Sequence, residues 1–548
     1  MRRRAPKSQN ASYIHPFING SRFLFGVGET PRTLCELAMT RLSAELRSKP
    51  EWWKLYTDQD TRKLWYNEAI NRTWRVGPDA NNIEAGLAKH QIDYVLDELA
   101  GYVALRDDAN EIQVSCFDRI WESECLISKV ERGSLLQQLD SLRLKCHYSS
   151  KQDIIVDPFR HAYRHGKSVL RHPEQLENFA DDANDSCRSV HYTALPSLVT
   201  VCSDPPHAAY RSYINGVNPV MSDLYIAFQD ALGHSIRLFE TVLTSLHRSN
   251  PLPQRIQGTY HYRVWDEPDP PEDSDEEAWE AHSRELRHWA LYRPIEIPDI
   301  PDDGYRSDSL RFAHKVCFRE DQTIQIIHRV LDIHLTGQLI VLKNDGRRKI
   351  LDTPWHAEGM ANEQISVCCL HFLSVEGIDD ARVDFRMATT SPSDFMPHDV
   401  GATLRTWGLQ SGDECNQFIG SVRLGSGLSI AFPNTYQHRI RGVKLRKGCK
   451  TGRLTVLEFY LVDPDITPVV STDDVAPQQR DWILQALEES IDARLPHEVL
   501  EKIVDMTESV FSEEETEKYR AEMAKDREAF RQLNDRQYFC LPFNVDVP

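Results

Sequence analysis

From Ile324 onward the sequence breaks into short stretches of β-branched and aromatic residues, and this pattern constrains the fold most. Ile324–Leu335 is rich in strand formers. Ile365–Leu373, Val383–Met387, Phe418–Leu424, Leu428–Phe432 and Thr455–Val462 follow, with Gly, Asp or Pro between them. Short strands in series with polar turns predict a jelly roll or a related barrel.

Helices flank this region. Apolar residues recur at three and four positions from Thr33 to Leu42, over 90–104 and over 132–144. Val217–Arg248 carries Leu224, Phe228, Leu232, Ile236, Phe239 and Leu243 on one stripe, which predicts a long helix with one buried face. Ile112–Phe117 and parts of 191–215 read as short strands. Asp473-Asp474 predicts the cap of a helix starting near Pro477, and 477–531 reads as helical and highly charged. The expected organisation is a loose arm over 1–30, a mainly helical region over 31–190, a strand-rich core over 191–475 and a helical extension over 476–548. The acidic, proline-containing stretch 266–280 is expected to be a mobile surface insertion. Asn178–Asp185 reads as a polar loop.

Two segments in the strand region carry chemistry. Trp355-His356-Ala357-Glu358-Gly359 precedes one strand, and Phe432–Arg439 holds His438, 82 positions after His356. In an extended chain His356 and Glu358 share a face, so one metal ion can meet both. Two imidazoles and one carboxylate form the ligand set of a mononuclear non-haem iron centre with open positions for oxygen and a keto acid. The bare His-x-Asp/Glu motif is weak, since about three copies are expected by chance in such a composition. The other copy, His172-Pro-Glu174, reads as a helix start with a surface histidine. The strand context and the later His438 set His356 apart.

Arg453 and Thr455 fall on one face of the last strand, where a guanidinium and a hydroxyl could hold the carboxylate of a keto acid. His334 could bond the keto acid or orient a ligand from behind, or serve as a core histidine. Arg439, Arg441, Lys444, Arg446, Lys447, Lys450 and Arg453 fall in a stretch without an acid. That stretch reads either as a solvated basic hairpin or as a positive rim that attracts small anions.

The net charge of −19 argues against a nucleic-acid partner. Twelve cysteines without a CxxC pair suggest reduced thiols rather than a disulfide framework or a zinc site. No run of about 18 apolar residues occurs, so no membrane span is expected. A cytoplasmic protein is the default expectation, with a nuclear location open.

On the stretches Trp355–Glu363, Ala431–Ile440, Phe459–Pro464, Lys49–Lys54 and Ser212–Pro219, the chain resembles a fungal family known as domain of unknown function 4246. That family's core is similar to iron(II)/2-oxoglutarate dioxygenases. The resemblance implies an α+β protein with a double-stranded β-helix (jelly-roll, cupin-like) core and helical N-terminal and C-terminal extensions. It implies iron(II) on His356, Glu358 and His438, with 2-oxoglutarate and O2 as cosubstrates. Arg453 and Thr455, with His334, would hold the cosubstrate. Two departures stand out: Glu358 replaces the commoner Asp, and Arg453 lies 15 residues beyond His438. The implied activity is oxidation of a small molecule, anionic if the basic loop is a rim. A cupin-like metalloenzyme without 2-oxoglutarate, a histone-demethylase-like oxygenase and a non-catalytic binding protein are the competing readings.

Overall fold

Alternating strands and amphipathic helices must each cover an apolar face, and here they do so in layers. The computed structural model describes residues 13–17, 28–77, 83–145, 154–171, 187–262, 266–272, 275–336, 352–466, 468–490, 495–507 and 509–546. The elements used below are, in chain order, α1 (Leu34–Arg47), α2 (Lys89–Leu105), β1 (Gln113–Val114), β2 (Trp121–Ser123), α3 (Lys129–Lys145), β3 (Ile154–Val156), β4 (Ser197–Ser203), β5 (Pro206–Tyr210), α4 (Ser222–Leu246), α5 (Glu276–Tyr292), β6 (Gln322–Thr336), β7 (Ile365–Glu376), β8 (Arg382–Ala388), β9 (Asn416–Arg423), β10 (Ser429–Pro433), β11 (Tyr436–Arg441), β12 (Thr451–Val462), α6 (Arg480–Glu489) and α7 (Glu513–Asn534).

The protein is mixed α/β with antiparallel sheets. A nine-stranded sheet runs β1-β2-β10-β7-β12-β6-β4-β5, with β3 also paired to β6. A smaller sheet runs β9-β8-β11. One face of the large sheet meets the small sheet across an apolar layer that includes Ile327, Leu370, Val456, Phe385 and Ile440. The other face meets α4, whose Phe228, Leu232, Ile236 and Phe239 pack with Val330, Leu457 and Phe459. Each of these fully buried side chains stabilises the fold by about 1.5–3 kcal/mol relative to exposure.

Pleating assigns the residues of β12 to these two faces. Leu454, Val456 and Tyr460 belong to the layer under the small sheet. Leu457, Phe459 and Leu461 belong to the layer under α4. On β6, Ile327 and Ile333 lie toward the small sheet, and Ile326 and Val330 toward the helices.

Several expectations are revised. The region 31–190 contributes strands to the main sheet: Trp121 of β2 pairs with Ala431 of β10, and Ile154 of β3 with Leu331 of β6. The acidic stretch 266–280 runs into α5, which Asp275 caps by accepting a hydrogen bond from the Glu277 amide. The helix expected near Pro477 starts at Arg480, after Gln479. Asp474 instead accepts from the backbone and hydroxyl of Ser471, closing a turn. Of the arm expected over 1–30, only 13–17 and 28–30 are described, and the loop expected at Asn178–Asp185 lies outside the described residues. No helix among the described residues is long and apolar enough to cross a membrane.

Candidate metal centre

A backbone ladder brings the two histidines together. The chain at 353–356 runs antiparallel beside β11 and widens the small sheet. The Thr353 amide donates to Ile440 O at 2.9 Å. The His356 amide donates to His438 O at 3.2 Å, and the His438 amide returns a bond to His356 O at 3.0 Å. Directly opposed residues point to the same face. The two imidazole centroids therefore lie 4.4 Å apart.

Glu358 follows on the same face two residues later. Asn434 fixes its backbone: the Glu358 amide donates to Asn434 Oδ1 at 2.8 Å, and Asn434 Nδ2 donates to Glu358 O at 2.8 Å. Nδ2 also donates to Ile365 O at 3.1 Å, which ties the loop to β7. Gly359 turns the chain at φ +72°, and a Cβ there would sit 2.8 Å from Ile365 Cδ1. The glycine of the Trp-His-Ala-Glu-Gly stretch is therefore required by backbone conformation and by space.

Donor atoms of His356, Glu358 and His438 all lie within 4.8 Å of one another. Among the described residues they form the one such convergence of three metal-binding side chains. Glu358 is 2% exposed and His438 is 4%. His356 Nδ1 lies 2.9 Å from Pro354 O. A carbonyl only accepts, so Nδ1 carries the proton and Nε2 offers its lone pair inward. That Nε2 lies 3.1 Å from Glu358 Oε1, and His438 Nε2 lies 3.8 Å from the same oxygen. Either a proton on Nε2 or a metal cation must lie between His356 and the carboxylate oxygen. His438 Nδ1 is buried without a hydrogen-bond partner. This donor set, two imidazoles and a carboxylate, fits a divalent transition metal.

The electrostatics agree. Burial alone would raise the Glu358 pKa. The hydrogen bond and charge of His356, together with Arg329 and His438, outweigh it and hold the carboxyl well below its usual range. Burial would lower His356, but its bond to Glu358 raises it instead. Burial and the neighbouring His356 push His438 down to about 3. Glu358 is thus held ionised and His438 neutral, while the proton that Glu358 favours on His356 is one a metal would displace.

The triad opens on a cavity of about 630 Å³. The inward face of the large sheet lines one side with Arg329 and Glu458, and α7 lines the opposite side with Ala524 and Arg527. Arg329 and Glu458 are direct cross-strand partners, joined at 3.1 Å. Glu458 also accepts a hydrogen bond from Tyr460. Burial and the nearby Glu358 raise the Glu458 pKa against the opposing pull of Arg329. Sequence reading missed this pair, although a signal was present. Arg329 and Glu458 each interrupt an otherwise apolar inward row, Ile327-Leu331-Ile333 on β6 and Leu454-Val456-Tyr460 on β12.

The residues expected to hold a keto acid lie elsewhere. Arg453 and Thr455 share the parity of Leu457, so they face the helical layer. Both bond Asp332 of β6: Arg453 Nε at 2.9 Å and the Thr455 hydroxyl at 2.7 Å. Arg453 Nη2 also donates to Asp140 of α3 at 2.7 Å. His334 lies 3.0 Å from the same Asp332 carboxylate. None of the three lines the cavity at the triad. The reason is register: Thr455 stands opposite Asp332, so the chain supplies its own carboxylate to the guanidinium.

The basic stretch 439–453 is likewise not a rim of this cavity. Arg439 and Arg441 bond Asp384, and Lys444 bonds Asp379. His172 and Glu174, the competing motif, lie outside the described residues.

Fold and site together define a mixed α/β protein with a buried His-Glu-His centre between two antiparallel sheets. Residues 89–486 match the model described as Protein of unknown function (DUF4246), and residues 2–68 match its N-terminal domain of unknown function. The chain belongs to the DUF4246 family. No curated protein matches it. A solved structure of a selenomethionine-labelled Fe(II)/(alpha)ketoglutarate-dependent dioxygenase, TqaL, is similar at 9% identity and a TM-score of 0.23, over 63% of this chain and 93% of that one.

Proposed function

We propose that this protein is an iron(II)- and 2-oxoglutarate-dependent oxygenase acting on a small organic molecule, built on a double-stranded β-helix core. One observation carries the reading: three donor side chains from two distant segments meet at the wall of a cavity. His356, Glu358 and His438 would hold the iron. Iron held there would supply O2 chemistry coupled to 2-oxoglutarate, in which one oxygen atom would enter a substrate C–H bond and the other would appear in succinate, with CO2 released.

The chain's own residues prepare the site. Pro354 O fixes the His356 tautomer, and Asn434 fixes the Glu358 backbone. Apolar neighbours such as Leu331, Ile333 and Phe530 limit water in the cavity. Arg329 and Glu458 offer a paired charge beside the triad. Burial of Glu358 lets one carboxylate act on a single cation without competition from solvent.

A second reading is favoured by the position of Arg453 and Thr455. Since Asp332 occupies both, a metalloenzyme that does not use 2-oxoglutarate fits the same triad. Anaerobic titration separates the two. Iron(II) followed by 2-oxoglutarate should produce the visible charge-transfer absorption of a keto-acid chelate, and His356→Ala should abolish it. Iron binding without that absorption would move the assignment to the second reading. No iron binding would remove both.

A further inference from the structure

The loss of Arg453 from the site leaves the cavity in need of a different anion partner. Three arginines of α7 line it, Arg520, Arg527 and Arg531. Two of them are closed by acids: Arg520 Nε donates to Asp157 Oδ2 at 2.8 Å, and Arg531 Nη2 donates to Glu528 Oε1 at 2.6 Å. Arg527 differs. Its nearest carboxylate is Glu358, with Nη2 3.8 Å from Oε2, beyond hydrogen-bond reach. Its Nη1 is buried without a hydrogen-bond partner.

The guanidinium is nonetheless held in place. Its Cζ lies 3.6 Å from the centroid of the Phe159 ring. An arginine stacked on an aromatic face keeps its planar fork oriented, which lowers the entropy lost on binding a carboxylate. One and two turns back on the helix stand Ala524 and Ala521, small residues that leave the space in front of the arginine open.

Charge counting points the same way. The lining carries four arginines against five carboxylates, one net negative charge. A divalent cation on the triad would leave one excess positive charge, which an organic anion would neutralise.

We propose that Arg527 is the anion anchor of this cavity: it receives a carboxylate of a small organic acid bound beside the His356-Glu358-His438 triad. The proposal rests on the reading of the triad as a metal centre. The carboxylate has two sources, the far end of the keto-acid cosubstrate or the substrate itself. Arg527 lies beyond residues 89–486, the span of the main family model.

The test uses full-length protein loaded with cobalt(II), and calorimetric titration with 2-oxoglutarate, with 2-oxobutyrate (the same keto-acid head without the far carboxylate), and with succinate added to protein already holding 2-oxobutyrate. Arg527→Gln and Arg527→Lys are compared with wild type. Cobalt affinity reports folding and the triad independently. If the cosubstrate supplies the carboxylate, wild type should prefer 2-oxoglutarate over 2-oxobutyrate by at least tenfold. Arg527→Gln should erase that preference, and Arg527→Lys should keep part of it. If the substrate supplies it, the keto-acid preference should stay constant while succinate binding weakens at least tenfold in Arg527→Gln. Unchanged affinities for all three ligands in a variant that still binds cobalt would overturn the proposal. Failure of wild type to bind cobalt would instead remove the metal reading, a distinguishable result.

Discussion

The two faces of the large sheet look onto polar clusters of similar make-up and opposite character. On one face, His356, Glu358 and His438 converge at a cavity where, among the described residues, no arginine or lysine comes within hydrogen-bond distance of Glu358. On the other, Arg453, Thr455 and His334 gather on Asp332, which Arg143 also approaches at 3.4 Å. The first cluster is unfinished without an outside charge. The second is complete. A guanidinium spaced to grip a carboxylate is thus no evidence for a ligand until its own strand partner is known.

The sharpest way to break this contrast is to remove a donor on the open side. His356→Ala or His438→Ala should lower iron(II) or cobalt(II) affinity by more than about 100-fold, the upper range for losing a residue that merely supports a ligand. Arg453→Ala should leave that affinity unchanged in the same calorimetric assay. On the closed side, Asp332→Ala leaves Arg453 without its inner partner. Because Asp140 still pairs the half-buried guanidinium, the substitution should cost about 1–3 kcal/mol in denaturant unfolding, with metal affinity retained in the folded protein.

Acid should discriminate as well. His328 and His371 lie toward the helical layer, where Tyr210, Ser235 and Ser429 satisfy their rings. Burial pushes both pKa values down to about 3. An unfolded histidine protonates near 6.5, so between pH 6.5 and 3 the unfolded chain binds more protons. Stability should therefore fall as pH drops below 6.5, by about 1.4 kcal/mol per pH unit for each fully participating histidine. Unfolding midpoints measured from pH 7.5 to 5 check the slope, and replacing His371 with Gln should shallow it.

Gly359→Ala comes next. A left-handed residue and a contact with Ile365 should cost at least about 1–2 kcal/mol and weaken metal binding. His334→Ala should be the mildest change, within about 0.5 kcal/mol, because its side chain is 44% exposed.

Local patterns were legible where they were strong. The run Leu428–Phe432 became Ser429–Pro433, and Val217–Arg248 contained Ser222–Leu246. His356 and Glu358 were readable from two-residue alternation, and the structure brings His438 to them. Non-local pairing was not readable. Asp332 is 121 residues from Arg453, and nothing in either segment announces that they meet. The pairing of Trp121 with Ala431 and the placement of α7 across the cavity are invisible for the same reason. The basic stretch stayed open between a solvated hairpin and an anion rim because the acids that answer it, Asp379 and Asp384, are distant in sequence.

His356 and His438 are held by a reciprocal pair of main-chain bonds. Their approach is thus encoded in strand alignment rather than in flexible side chains. Sliding 353–356 past β11 by a single residue would turn one ring to the opposite surface and dissolve the centre. An occupying ion would act as a clasp across that seam, so the edge of the small sheet should exchange its amide hydrogens more slowly once the ion is in place.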